Sequence, residues 1–563
     1  MKKIAILLLV CTLITTLFSC KGNDNGNSPD NIPQPEPEKE KTHLVENEDY
    51  LDLSSLYDGV SIDYNDSLWY VNKLADVPLP DPFVFVEDDT YYIVGTSDRN
   101  CNVVDCYVTT DFVNYELHTN IYDPADFDGW ESKKNALVFA PEIYCFDGLY
   151  YMYYSAKDDK NIRRCSVVVA DNPLGPYEPI VNENVDGLNS PIFRYDELFK
   201  RTLDATVFTD DDGKMYMYFT ITTSSSQHIV GVELISPYEA DWSTYKELIF
   251  PGTVDSESEE ILLEWEMYRD NKIQIAEAPF MIKSGGKYYL TYSTNGAWNK
   301  YYNVCYAVCD TPLGNFVKPY EEGKMWKNLL LGCPSSNDTE SLIYNQWAGF
   351  ASGTGHHCFF YSGDELMIGY HGHQNRDWNS KDYTERYFAF DYVYFDENGV
   401  PFCNGPTFSV INLPERISGV KNIADGARVF VDNVKNAENV NDNYIVDFYN
   451  LDSRDNEVTL GVGQSYIEIE FDKVYDIYGI MIYNSAYYDE YILEVDYIDF
   501  GNGNIIYYPQ FCTDLYVKDE KSFIYPNSAI NIEILKTFSA DTVKIGFTLP
   551  EGGNINEIVI LGK

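Results

Sequence analysis

Three acids stand in surroundings where a solvated surface charge would be out of place. Asp81 lies in Leu79-Pro80-Asp81-Pro82, Asp204 in Leu203-Asp204-Ala205 and Glu277 in Ala276-Glu277-Ala278-Pro279. Carboxyl groups with apolar flanks are candidates for shifted ionisation and for chemistry. Hydrolysis of a glycosidic bond needs such groups: a carboxylic acid protonates the leaving oxygen, and a carboxylate activates water or attacks carbon. A third acid can tune the other two. Asp-Pro by itself is a common turn dipeptide, so the weight falls on whether the three positions correspond.

The elements that would position them recur along the chain. Five stretches share one form, a short β-rich run, a turn of Asp, Ser or Gly, and a second run heavy in Tyr: PFVFVEDDTYYIVGTS, EIYCFDGLYYMYYSA, TVFTDDDGKMYMYFT, PFMIKSGGKYYLTYS and CFFYSGDELMIGYH. Each reads as a β-hairpin, and five such units spaced this way predict a five-bladed β-propeller with loop insertions. An ordinary antiparallel sandwich is the simpler alternative. Aligned without gaps on their turns, the copies place Asp81, Phe139, Asp204 and Glu277 just before the first strand, and Gly355, beside His356, in the fifth. First strands line a propeller's central channel, so this offset predicts one pocket with three carboxylates and an aromatic wall. Phe139 and Trp298 are candidate sugar platforms, and His356 is a candidate lining residue. Asp210, Asp211 and Asp212 fall in the third hairpin turn and read as turn residues.

Taken together, the segments resemble glycoside hydrolase family 43, the β-xylosidases, α-L-arabinofuranosidases and arabinanases, over roughly residues 65 to 410. The resemblance is carried by Asp81-Pro82, Phe139-Ala140-Pro141-Glu142, Leu203-Asp204 with Phe208-Thr209-Asp210-Asp211-Asp212-Gly213, Glu277-Ala278-Pro279 with Tyr288-Tyr289-Leu290, and Gly353-Thr354-Gly355-His356-His357. It implies that Asp81 is the general base, Glu277 the general acid and Asp204 the residue that raises and orients the acid. It further implies inversion at the anomeric carbon, pentose-containing substrates with α-L-arabinofuranosyl or β-xylosyl bonds, and no required cofactor. In the family the Gly-His segment lies near the pocket floor, where some members hold a cation, so a structural calcium near His356 is an expectation. The chain departs from the family where Phe139 replaces Trp and Ala278 replaces Gly. A glycan-binding propeller without catalysis and a hydrolase of β-galactosides are the competing readings. The Asn-Asp-Pro-Asn opening of fructan enzymes is absent, as are a phosphate-cradling glycine loop and a Gly-x-Ser-x-Gly elbow.

Composition frames this reading. Aromatic residues make up 15% of the chain, and 40 Lys+Arg against 89 Asp+Glu leave a net charge of -49. That charge repels nucleic acid and anionic lipid and favours a neutral carbohydrate as partner. Residues 1–20 read as a secretion signal ending in the lipobox-like Leu17-Phe18-Ser19-Cys20, so the expected product is an exported bacterial lipoprotein, at the outer membrane, cell surface or in the periplasm, touching membrane only through lipidated Cys20. Residues 21–49 are too polar to fold and form a tether. Residues 50–412 are assigned to the propeller and 413–563 to a β-sandwich whose Ile477–Asn484 and Asn556–Gly562 segments resemble discoidin-like, galactose-binding jelly rolls. Glycan binding and buttressing of the propeller are both open for that module. The cysteines lack zinc-site spacing and read as buried thiols or an occasional disulfide, and a monomer is expected.

Overall fold

The computed structural model describes residues 65–72, 77–193, 201–258, 260–267, 274–298, 301–322, 326–332, 353–373, 386–407, 409–445, 457–485, 494–513, 515–518, 521–524 and 528–563. The expected signal, tether and Cys20 lie outside the described residues.

The five hairpins are the inner halves of five antiparallel blades of four strands. Their first strands are Phe83–Glu87, Phe139–Phe146, Arg201–Thr209, Gln274–Ser284 and Gly355–Ser362. Blades 3 and 4 merge into one sheet through a short parallel pairing of Ser226 and Gln227 with Gln274 and Ile275. Left-handed backbone at Asp88 and Asp89, at Asp147 and Gly148, and at Gly285 and Gly286 makes tight turns whose twist suits a hairpin. Because blades stack face to face, a central strand is buried on both sides and loses the alternation of a half-exposed strand. In Leu149–Lys157, Met152 and Tyr154 enter one core while Tyr151 and Tyr153 enter the next. This packing explains the Tyr-rich second run of each repeat.

Among the described residues no blade is shared between the two ends of the propeller. The lead-in segment pairs with the third strand of blade 5: Phe388 N donates to Val77 O at 2.9 Å, and the Asn72 side chain both accepts from Phe390 N at 3.0 Å and donates to its carbonyl at 2.8 Å.

Beyond the propeller, nine strands form one sheet around a separate core. Its long strands, Gly463–Asn484 and Ala529–Leu549, carry register irregularities between Glu470 and Tyr475 and between Ile477 and Gly479. Before them the alternation is one-sided, with Ile467 and Ile469 in the core. After them both faces are buried: Ile480 and Ile482 point into the module's own core, while Met481 and Tyr483 join a cluster containing the propeller residues Tyr216, Leu290 and Tyr292. The run Ile477–Tyr483 carries no charged residue, and one face of it packs on the propeller.

Candidate active site

The first strand of every blade opens on a β-bulge. Register shifts fall between Phe139 and Glu142, Leu203 and Thr206, Glu277 and Phe280, and Gly355 and Cys358. Blade 1 does the same, with Thr96 N bonded to Pro80 O at 2.8 Å before regular pairing begins at Phe83. The second residue of each bulge is left-handed: Asp81 at φ 57, Ala140 at 45, Asp204 at 55, Ala278 at 50 and His356 at 47. The gapless sequence alignment is therefore corrected. Asp81, Asp204 and His356 occupy one structural place, whereas Phe139 and Glu277 stand one residue earlier. A bulge re-aims adjacent residues, so an acid from either place can line the same cleft.

A ring of hydrogen bonds holds these bulges. Paired opposite the first bulge residue, the second strand of each blade carries a polar side chain: Thr96, Ser155, Thr220, Ser293 and His371. Thr96 accepts from Ala140 N at 3.1 Å, Ser155 from Asp204 N at 3.0 Å, Ser293 from His356 N at 2.8 Å, and His371 Nδ1 from Asp81 N at 3.1 Å. Each blade thus captures the bulge amide of the next. Blade 3 breaks the pattern: Asp204 Oδ2 takes the Ala278 amide at 3.2 Å, and among the described residues the buried Thr220 hydroxyl has no partner.

Asp81, Asp204, Glu277, Phe139, Trp298 and His356 all line one cleft of about 260 Å³. The three acids are buried but differ in ionisation. Burial pushes Asp81 towards neutrality, yet Arg386 Nη1 at 2.6 Å, neighbouring His356 and the Thr96 hydroxyl at 2.7 Å prevail, holding it well below the usual carboxylate range. His371, driven neutral by burial and by Arg386, serves as acceptor of the Asp81 amide. Burial raises Glu277 to about 7 against the hydrogen bond donated by Tyr302 at 3.0 Å, with the Asp81 charge adding to the rise. Burial likewise lifts Asp204 to about 7, opposed by His356 and reinforced by the Glu277 and Asp81 charges. Near neutral pH the cleft offers one firm carboxylate and a carboxyl group able to give a proton.

The other predicted residues take varied roles. His356 Nδ1 lies 3.3 Å from Asp81 Oδ1. Trp298 is 51% exposed at the rim, an open face for a sugar ring. The Arg163 guanidinium sits 4.0 Å over the Phe139 ring, so one Phe139 face is already covered. Asp210 and Asp211 hold Lys283 across to blade 4, at 2.5 and 2.8 Å. Glu142, beside Asp204, is raised to about 8 by burial despite the Tyr144 hydroxyl at 2.5 Å.

Calcium would need a shell of oxygen ligands. His357 is instead bonded to the Thr291 hydroxyl at 2.6 Å, and among the described residues no group of three His, Cys, Asp or Glu could hold a metal. The nine described cysteines are free thiols.

Arg386, Tyr302, Arg163 and Thr96 were not singled out from the sequence. Only Thr96 had a signal there: every hairpin ends on Thr, Ser or His at the ring position.

A five-bladed propeller with buried acids of split ionisation around one cleft has the form of a glycoside hydrolase. The chain belongs to the glycosyl hydrolases family 43, whose sequence profile matches residues 70–401. It is 27% identical over 267 residues to a xylosidase/arabinosidase of Bacteroides ovatus, covering 42% of this chain and 76% of that protein. It is 29% identical over 258 residues to xylosidase/arabinosidase 43A of Humicola insolens, covering 39% and 74%. Among solved structures it is similar to a thermostable family-43 glycoside hydrolase, with TM-score 0.48 and 26% identity over 60% of this chain and 97% of that one.

Proposed function

We propose that the enzyme cleaves α-L-arabinofuranosyl or β-xylosyl bonds by single displacement. Asp81 is the base that activates water, Glu277 the acid that protonates the leaving oxygen, and Asp204 the residue that keeps Glu277 protonated and oriented. The observation that carries this is the split of ionisation within one cleft: an acid with its proton available near neutral pH faces a carboxylate that Arg386 keeps charged. Asp204 supports its neighbour through the Ala278 amide it accepts, one residue from Glu277. The pentoside preference is supported by the relatives' names.

The test is a panel of aryl arabinofuranosides, xylosides and galactosides with arabinan and xylan, run on wild type and Glu277→Gln. Loss of about 100-fold or more in turnover for the variant is expected. Equal turnover overturns the acid assignment, and no turnover by folded wild type favours a glycan-binding propeller. Proton NMR of the first sugar released decides inversion.

The same proposal places the enzyme outside the cytoplasm, anchored through Cys20, on the strength of residues 1–20. Incorporation of labelled palmitate by wild type and its loss in Cys20→Ala is the expected result.

A further inference from the structure

The cleft carries cations that form no ion pair with its own acids among the described residues. Arg386 is committed to Asp81 at 2.6 Å, but Lys157, Arg163 and Arg201 line the same cleft along its blade 2 and blade 3 side. Lys157 and Arg163 are directly paired across adjacent strands of blade 2, an arrangement of like charges that costs stability unless something compensates it. Arg201 begins the first strand of blade 3, in the same cleft wall. Among the described residues none of the three makes an ion pair, and the buried Nε of Arg163 has no hydrogen-bond partner. Burial and then the Arg163 and Arg201 charges depress the Lys157 ammonium, so the three groups feel one another. Arg163 also borders the three acids electrostatically, joining this edge to the reacting centre.

Such a cluster is unexpected in a chain of net charge -49, where cations are scarce. Its local field nevertheless governs what enters, because charges beyond about 10 Å are screened by salt. We propose that Lys157, Arg163 and Arg201 bind an anionic group, a carboxylate or an ester sulfate, on the sugar next to the scissile bond. The substrate is then an acidic oligosaccharide, and the neutral partner favoured by composition is replaced by a charged one. The inference rests on the glycosidase reading of this cleft. Arginine's planar fork suits a carboxylate in two-point contact, and lysine supplies a compact charge beside it.

Calorimetry on Glu277→Gln separates recognition from turnover. The ligands are xylotriose, xylotriose bearing a glucuronic acid branch and xylotriose bearing a sulfate ester. The charged ligands should bind about tenfold more tightly than the neutral one at low salt, with the advantage shrinking as sodium chloride is raised. Combining Lys157→Met and Arg201→Met should bring the ratio of charged to neutral affinity to within about twofold of one, with circular dichroism checking the fold. Comparing carboxylate with sulfate identifies the source of the anion. Equal affinity for all three ligands overturns the proposal, as does a charge preference that survives the double substitution. If wild type hydrolyses no pentoside while Glu277→Gln prefers the charged ligands, the hydrolytic reading falls and the anion site stands. If wild type hydrolyses neutral pentosides and binding ignores charge, the anion site alone falls.

Discussion

At the scale of single residues, the cleft separates two carboxyl groups by environment. Glu277 must carry its proton to act as acid, and that proton leaves as pH rises through about 7. Asp81 must be ionised, and its charge survives far into acid because Arg386 stabilises it. A kcat/KM profile should therefore be level through the mildly acidic range and fall about tenfold per pH unit above about 7. Replacing Arg386 with Met removes the cation and lets burial raise Asp81. The acidic limb should then move upward into the measurable range, with a loss of kcat/KM that is greater at pH 5 than at pH 7. A profile displaced only in height would deny Arg386 this electrostatic role.

At the scale of elements, the bulges and the ring of hydrogen bonds place the reacting groups. Ser155 and Ser293 each satisfy a buried amide from the next blade, so Ser155→Ala or Ser293→Ala leaves an orphan donor and should cost about 1–3 kcal/mol by denaturant titration. Thr220 stands at the same ring position with no partner, and Thr220→Val should cost little or stabilise. Comparable losses at all three sites would contradict the ring as described. The approach to Asp81 is equally tight. A Cβ on Gly95 would lie 2.5 Å from Pro80 O and 2.7 Å from Leu79 Cγ, so Gly95→Ala should displace the Asp81 bulge. Lower kcat together with a loss of about 1–3 kcal/mol is the expected outcome.

At the scale of the whole molecule, the C-terminal module and the propeller share a core, and buried acids extend through both. Glu142 is raised to about 8 and Asp391 and Asp442 to about 6, in each case chiefly by burial. Between the unfolded pKa near 4 and these values the folded chain holds protons that the unfolded chain has lost, so stability falls as pH rises. Melting temperature should decline from pH 5 to pH 8.5. Glu142→Gln should raise it more at pH 8.5 than at pH 5, by on the order of a few kcal/mol of stability. Met481, fully buried between the two modules, offers a separate test: Met481→Ala should cost about 2–5 kcal/mol. A Met481→Ala chain as stable as wild type would mean that the shared core contributes nothing.

The repeat of hairpins, their turn residues and the acids in apolar flanks were legible in the chain because strand periodicity and turn chemistry are local. Runs such as Leu149–Lys157 and Ile477–Asn484 read as strands, but which neighbours bury their two faces was decided by the fold. Tertiary structure alone decided the offset of Glu277, since a bulge inserts a residue without leaving a break in the sequence pattern. It alone brought Arg386 to Asp81 and Tyr302 to Glu277, and set Lys157 and Arg163 beside Arg201. Arg386 and Arg163 lie on third strands, Tyr302 on a connection, and Lys157 and Arg201 at the ends of inner strands, with no repeated spacing, and their energies depend on distance and burial through space. The acids could be found by reading along the chain, but which of them is charged, and what charge the cleft presents to a substrate, followed from the closure of the ring.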